Sequence, residues 1–379
     1  MKILLITWNF PPKTGGLESV VHNIWLQLQK MNEVFVISPY MNIKNNIETH
    51  TFRTKSPQLF WFVLYSFFKG VKIVIKNKPK IIIAGSALVC PIAIILGKIF
   101  CLKIAVQIHG LDVIYSNFFY QWAIKYFLPK SNIIFANSKM SMYEAMKRGT
   151  SEKKIVVIHP GTDTQRFIMK KNREELKRKY NLEGKKVLLT VGRLAKRKGI
   201  AEFIHNSLPD VIKKVPEVIY CIVGGNPVDS LVHKANVILD IEETIKDNNL
   251  QDYVVLFGRV ELNTLIEIYN LSDLFLLPVL PANDDVEGFG IVFIEANAAG
   301  IPCVATKIGG IPDAIEDSKS GILVEPNDYK TLTEKIIFLL KNPELSKNMG
   351  EYGRKRARRK FDWDVIGIQY ENALNLLFS

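Results

Sequence analysis

Eleven short runs rich in β-branched residues recur along the chain, separated by stretches long enough for helices, and this alternation constrains the fold more than any other feature. In the first half the runs are KILLIT from Lys2, EVFVIS from Glu33, KIIIAGS from Lys80, KIAVQIH from Lys103, NIIFANS from Asn132 and KIVVIHP from Lys154. Segments such as LESVVHNIWLQLQK and KMSMYEAMKRG lie between them. Runs that are apolar throughout, with no polar alternation, suit strands buried on both faces, and strands joined by helices pair in parallel. Around Asn172 to Glu183 the pattern gives way to the charged NREELKRKYNLEG, after which KKVLLTVGRL, VIYCIVGG, VVLFGRV, LFLLPV and PCVATKI repeat it. The chain therefore reads as two doubly wound α/β domains, residues 1–170 and 171–360. A last helical segment within 361–379, WDVIGIQYENALNLLFS, is expected to cross back to the first domain. In such folds ligands bind beyond the carboxyl ends of the strands, so two facing domains would enclose a cleft.

Composition narrows the class. With 48% hydrophobic and 23% charged residues among 379, the chain has the make-up of a globular protein and not of a disordered one. Its net charge of +13 is carried entirely by the first half: residues 1–165 hold 20 Lys and Arg against 7 Asp and Glu, whereas residues 166–379 hold 30 of each kind. A basic half-chain can attract nucleic acid, anionic lipid or a phosphorylated acceptor. The four cysteines, Cys90, Cys101, Cys221 and Cys303, are scattered without metal-ligand spacing and read as reduced residues of a cytoplasmic protein. MKILLITWNF reads as a strand and a loop without a cleavage site, so no signal peptide is expected. LFWFVLYSFF (Leu59–Phe68) and ALVCPIAIILG (Ala87–Gly97) are about half the ~20 residues a spanning helix needs.

The most informative segment is EGFGIVFIEANAAG, Glu287 to Gly300. It follows the strand LFLLPV and the polar loop PANDD, so Gly288, Phe289 and Gly290 are expected to open a helix whose bare amides meet an electron-rich ligand. A carboxylate at Glu295, within an apolar run, needs a polar partner, because an unpaired buried charge is costly. Eight residues of helix are expected to separate Glu287 and Glu295 by ~12 Å of rise. That spacing suits a long polyhydroxylated ligand held at both ends, such as a nucleotide sugar.

Three further segments end strands and would face the same cleft. VGRLAKRKG offers Arg193 as a bidentate fork and Lys198 as a point charge to phosphate oxygens, although solvated loop charge explains such residues equally well. PPKTGGLE exposes the amides of Gly15 and Gly16 before a helix, or is a plain strand-to-helix turn. In QIHGLD, His109 ends an apolar strand, a position where histidine is more often structural.

Taken together with ANSKM, HPGTDTQRF, YNLSDLFLLPV, GGIPDAI and GILVEPND, these segments resemble, in order and over nearly the whole chain, the retaining glycosyltransferases of family 4. That family has the GT-B fold of two Rossmann-like domains. Within it, DDVEGFGIVFIEA looks like the mannosyltransferases that act on phosphatidylinositol mannosides. The resemblance implies that Glu287 and the amides of Gly288, Phe289 and Gly290 hold the donor sugar and that Glu295 binds the ribose. It implies that Arg193 and Lys198 stabilise the leaving diphosphate, that Gly16 lies near phosphate and acceptor with Gly15 beside it on the donor, and that His109 lies near the transferred sugar. It further implies a nucleoside-diphosphate sugar donor, with GDP-mannose favoured, a lipid-linked or glycan acceptor, and no cofactor or required metal; NDDVE lacks the D-x-D spacing.

Two alternatives share this architecture. A nicotinamide-dependent oxidoreductase should carry G-x-G-x-x-G after its first strand, where this chain has NFPPKTGGLE. A non-catalytic nucleotide-sugar binding protein would not need the cations at 193 and 198. No recognised nucleic-acid motif accompanies the basic half. Lysines 55, 69, 72, 76, 78 and 80 interleave with and follow LFWFVLYSFF, which suits peripheral attachment to the anionic inner face of the cytoplasmic membrane, although Leu59–Phe68 also reads as a core helix with snorkelling lysines at its end.

Overall fold

All eleven runs form strands in a computed structural model of the chain, which describes residues 1–11, 15–39, 50–56, 58–168, 171–226, 236–282 and 285–378. Two short edge strands join them. The first sheet comprises β1 (Lys2–Ile6), β2 (Glu33–Ser38), β3 (Thr51–Arg53), β4 (Ile81–Ala84), β5 (Lys103–Ile108), β6 (Ile133–Ala136) and β7 (Ile155–Val157). Its order is β3-β2-β1-β4-β5-β6-β7, all parallel. The second comprises β8 (Lys186–Val191), β9 (Val218–Val223), β10 (Val254–Gly258), β11 (Leu274–Leu277), β12 (Cys303–Thr306) and β13 (Gly321–Val324), ordered β10-β9-β8-β11-β12-β13 and also parallel. Each order reverses direction once, between β1 and β4 and between β8 and β11. Loops diverge at such switch points and leave room for a ligand.

The chain divides into two units, one of Met1–Gly161, Asp284–Phe289 and Trp363–Ser379, the other of Thr162–Asn283 and Gly290–Asp362. Strand burial explains the apolar runs: β4, β6, β9, β11 and β12 are buried at every position, since helices cover both faces. In the first unit one core cluster joins alternate strand residues (Leu4, Ile6, Ile82, Ile104, Val106) to Phe62, Ile73, Leu96 and Ile124 of three helices. The final helix, Trp363–Asn375, packs on the helix Gly16–Gln29. Its Tyr370 hydroxyl donates to Gln107 at 2.7 Å, its ring meets Phe135 edge-on, and Asp364 pairs with Lys30 at 2.5 Å. No helix among the described residues is long and apolar enough to cross a membrane.

Candidate active site

In the first unit the site residues gather at the carboxyl ends of β4, β5, β6 and β7. His109 directly follows β5 and is buried. Its backbone amide donates to Asp112 Oδ1 at 2.7 Å, while Asp112 Oδ2 accepts from the Ala87 amide at 2.9 Å, so one carboxylate ties the β5 turn to the turn after β4. The imidazole Nε2 lies 3.0 Å from the Gly85 carbonyl oxygen. A carbonyl only accepts, so Nε2 carries a proton, and in the neutral ring Nδ1 presents its lone pair. That Nδ1 is buried and has no hydrogen-bond partner among the described residues.

The Glu287–Phe289 segment reaches this corner. A Cβ on Gly288 would fall 2.3 Å from the His109 carbonyl oxygen and 3.1 Å from Asn137 Nδ2, a contact only glycine permits. Asn137 Nδ2 donates to the same carbonyl at 3.0 Å, and the Asn137 carbonyl lies 3.0 Å from His159 Nδ1. His159 stacks on the Phe289 ring, centroids 5.1 Å apart. His109, Asn137 and His159 thus hold Gly288 and Phe289 in place, with Glu287 half-buried beside them. Gly15 and Gly16 are exposed at the start of helix Gly16–Gln29, and a Cβ on Gly16 would meet nothing within 4 Å. Residues 12–14 of PPKTGGLE and Asn283 and Asp284 of NDDVE lie outside the described residues.

The second unit holds Arg193, Lys198, Gly290 and Glu295. Arg193 is exposed just past β8, and Lys198 is buried in a short turn. That turn is fixed to the chain leaving β11: the Leu280 amide donates to the Arg197 carbonyl at 2.7 Å, and a Cβ on Gly199, at φ 68°, would strike the Pro278 oxygen at 2.1 Å. The cations therefore flank the second switch point. Among the described residues, no three His, Cys, Asp or Glu side chains are grouped to hold a metal ion.

The helix in EGFGIVFIEANAAG spans only Ile291–Ala299, with Gly290 as its left-handed N-cap at φ 85°. The expectation that Gly288–Gly290 open the helix fails because Gly290 breaks the helical backbone, and with it goes the ~12 Å axial estimate for the two glutamates. Glu295 is half-buried, and the hydroxyl of the fully buried Tyr269 donates to its Oε2 at 2.9 Å. Burial pushes the Glu295 carboxyl above the usual carboxylate range, and the Tyr269 hydrogen bond acts against that shift. The carboxylate so placed keeps acceptor capacity beyond the one bond the tyrosine makes.

Tyr269, Asn137 and His159 were not singled out in the sequence. Asn137 and His159 lie at or just beyond the ends of β6 and β7, as His109 does on β5, so the strand-end rule applied evenly would have found both. Tyr269 carries no such signal, because only tertiary packing brings helix Leu262–Leu271 to helix Ile291–Ala299.

A family model described as glycosyl transferases group 1 matches residues 172–356, and one described as Glycosyltransferase Family 4 matches residues 14–166. The chain belongs to the family 4 glycosyltransferases. The oxidoreductase alternative falls with this assignment. Among relatives, the enzyme is 25% identical over 387 aligned positions, 98% of each chain, to the GDP-mannose-dependent alpha-(1-6)-phosphatidylinositol monomannoside mannosyltransferase of Mycolicibacterium smegmatis. It is 28% identical to the N-acetyl-alpha-D-glucosaminyl L-malate synthase of Bacillus anthracis, over 71% of this chain and 67% of that one. Anabaena Alr3699/HepE, solved in complex with UDP, shares the fold at a TM-score of 0.81 and 20% identity, covering 99% of this chain and 100% of its own. The two-sheet GT-B architecture is thus shared over the full length of the glycosyltransferase.

Proposed function

We propose that this hexosyltransferase moves mannose from GDP-mannose to a lipid-linked or glycan acceptor with retention of anomeric configuration, working at the inner face of the cytoplasmic membrane. The observation that carries the reading is the His109 corner: a buried, unpaired Nδ1 acceptor beside a glycine-only contact. An orphaned buried acceptor costs ~1–3 kcal/mol, and a donor-sugar hydroxyl would satisfy it. Glu287 and the amides of Gly288, Phe289 and Gly290 hold the same sugar, Glu295 accepts from the ribose hydroxyls, and Gly15 and Gly16 leave room for phosphate and acceptor.

In the reaction the bond from the anomeric carbon to the diphosphate oxygen breaks while the acceptor oxygen bonds to that carbon on the same face. The departing phosphate takes the acceptor's proton. The sugar passes through an oxocarbenium-like state, and negative charge grows on the diphosphate. Arg193 and Lys198 meet that charge, so the step needs no metal and no carboxylate nucleophile; preorganised charges of this kind are usually the largest catalytic term. Support for mannose and for guanosine comes from the name of the mycobacterial relative at 25% identity. The basic, aromatic helix Leu59–Asn77 supports attachment to anionic lipid.

A panel of GDP- and UDP-sugars tests the donor. GDP-mannose should bind saturably and release GDP slowly without acceptor. Saturable binding of UDP-sugars alone would replace the donor assignment and leave the transferase reading in place.

A further inference from the structure

Three helices of the first unit bury their inner sides in one core cluster on the same face of the sheet: Leu59–Asn77, Cys90–Ile99 and Phe118–Phe127. The middle one packs against both others, and Gly70 of the first lies against the Leu96 side chain with no room for a Cβ. Their outer sides consequently form one surface. On helix Phe118–Phe127 that surface is aromatic: Phe118 and Phe119 are 78% and 77% exposed, Trp122 is 60% exposed, and Tyr126 stacks on Trp122 with centroids 5.7 Å apart. Ile95 and Ile99 continue it across the middle helix, and Phe60, Leu64 and Phe68 across the first.

Charge on this surface has one sign. None of the three helices contains Asp or Glu, while Lys69, Lys72, Lys76, Lys98 and Lys125 all lie on them. Exposed apolar side chains on three neighbouring helices are uncommon on a monomer unless something covers them. A second copy applied by two-fold symmetry would set lysines against lysines with no acid to offset them. An anionic bilayer satisfies both features at once: rings enter the headgroup–acyl boundary, and ammonium groups meet lipid phosphates.

We propose that helix Phe118–Phe127 is a second membrane-inserting element, its Phe118, Phe119 and Trp122 entering an anionic bilayer alongside helix Leu59–Asn77. This rests on the peripheral attachment proposed above and adds to it the element that carries most of the apolar immersion. The acceptor-side unit would then lie on the bilayer through three helices.

The experiment uses the full chain with vesicles of phosphatidylcholine alone or with phosphatidylglycerol. Wild type should co-sediment with the anionic vesicles. The F118S/F119S/W122S variant should bind at least about tenfold more weakly, since each exposed aromatic removed forfeits apolar area that would enter the bilayer, while its melting temperature and donor binding stay unchanged. In a W61F background, acyl chains brominated near the headgroup should quench Trp122 fluorescence. Should wild type bind and K69E/K72E/K76E release it, while the serine variant binds like wild type and Trp122 is unquenched, this inference is overturned and the attachment reading survives. No binding to either vesicle overturns both. A wild-type dimer that dissociates on the serine substitutions would make the face a self-association surface instead.

Discussion

At Glu295, proposed above to bind the ribose, a single carboxyl would connect fold, nucleotide binding and pH. Burial penalises its ionised form, so its contribution to folding is greatest when protonated: present below the ordinary carboxylate range and lost as pH rises through the raised value. Ribose hydroxyls donate best to the ionised form, so nucleotide affinity should rise over that same interval. Glu295→Gln is therefore expected to weaken GDP binding most above the transition, to abolish the pH step, and to raise the melting temperature at about pH 8 more than at about pH 4. Calorimetric titration of GDP from acid to neutral pH, with melting curves at both ends, checks this; a pH step that persists in the variant would remove Glu295 from the nucleotide site. The need for a partner at this carboxylate was legible from its apolar surroundings, but the identity of one partner was not. Tyr269 approaches through a helix pairing that no local pattern encodes.

Among the elements, the helix Arg173–Lys179 and its flanking residues meet helix Leu262–Leu271 at two places, Arg173 on the Leu271 carbonyl and a cluster on Glu267. Glu267 accepts from Lys171 at 2.6 Å, Lys179 at 2.5 Å and the Tyr180 hydroxyl at 2.6 Å. These partners, Lys171 first, hold its carboxyl down at about 2. The sign is opposite to that of Glu295: the stabilisation is present above the ordinary carboxylate range and lost as pH falls towards about 2. Both lysines are more than half exposed, so solvent and salt screen much of the effect. Glu267→Gln should lower the melting temperature by a few degrees at neutral pH and leave it unchanged near the bottom of that range, as melting curves across pH would record. Equal loss at every pH would point to packing instead of charge.

Strand positions were readable because β-branched runs buried on both faces leave an unmistakable pattern. The edge strands β3 and β13 escaped because they are only three and four residues long and partly exposed. The helix in the glutamate segment was misjudged at its start, since a left-handed glycine and an ordinary helical one read alike in sequence. The exposed face of Phe118–Phe127 was missed for a different reason: a stripe of aromatics at helical spacing usually marks a core side.

Over the whole molecule, two parallel sheets with the same strand reversal each bring loops to a switch point, and the chain's excess charge lies wholly in the half that includes the first sheet. The residues proposed for the sugar, His109 and the Glu287–Phe289 segment, belong to the first unit, and the cations proposed for the leaving group, Arg193 and Lys198, to the second. Such a division makes sense if the reaction separates a sugar from a diphosphate. The most direct test incubates the enzyme with GDP-mannose and anionic vesicles carrying a lipid extract, following GDP release and hexose in the lipid fraction together. The account predicts equal amounts of both for wild type, and for Arg193→Ala and Lys198→Ala a fall of about 10²-fold or more in both with donor binding retained. Donor that is bound but never consumed, or turnover in both variants at the wild-type rate, would contradict it.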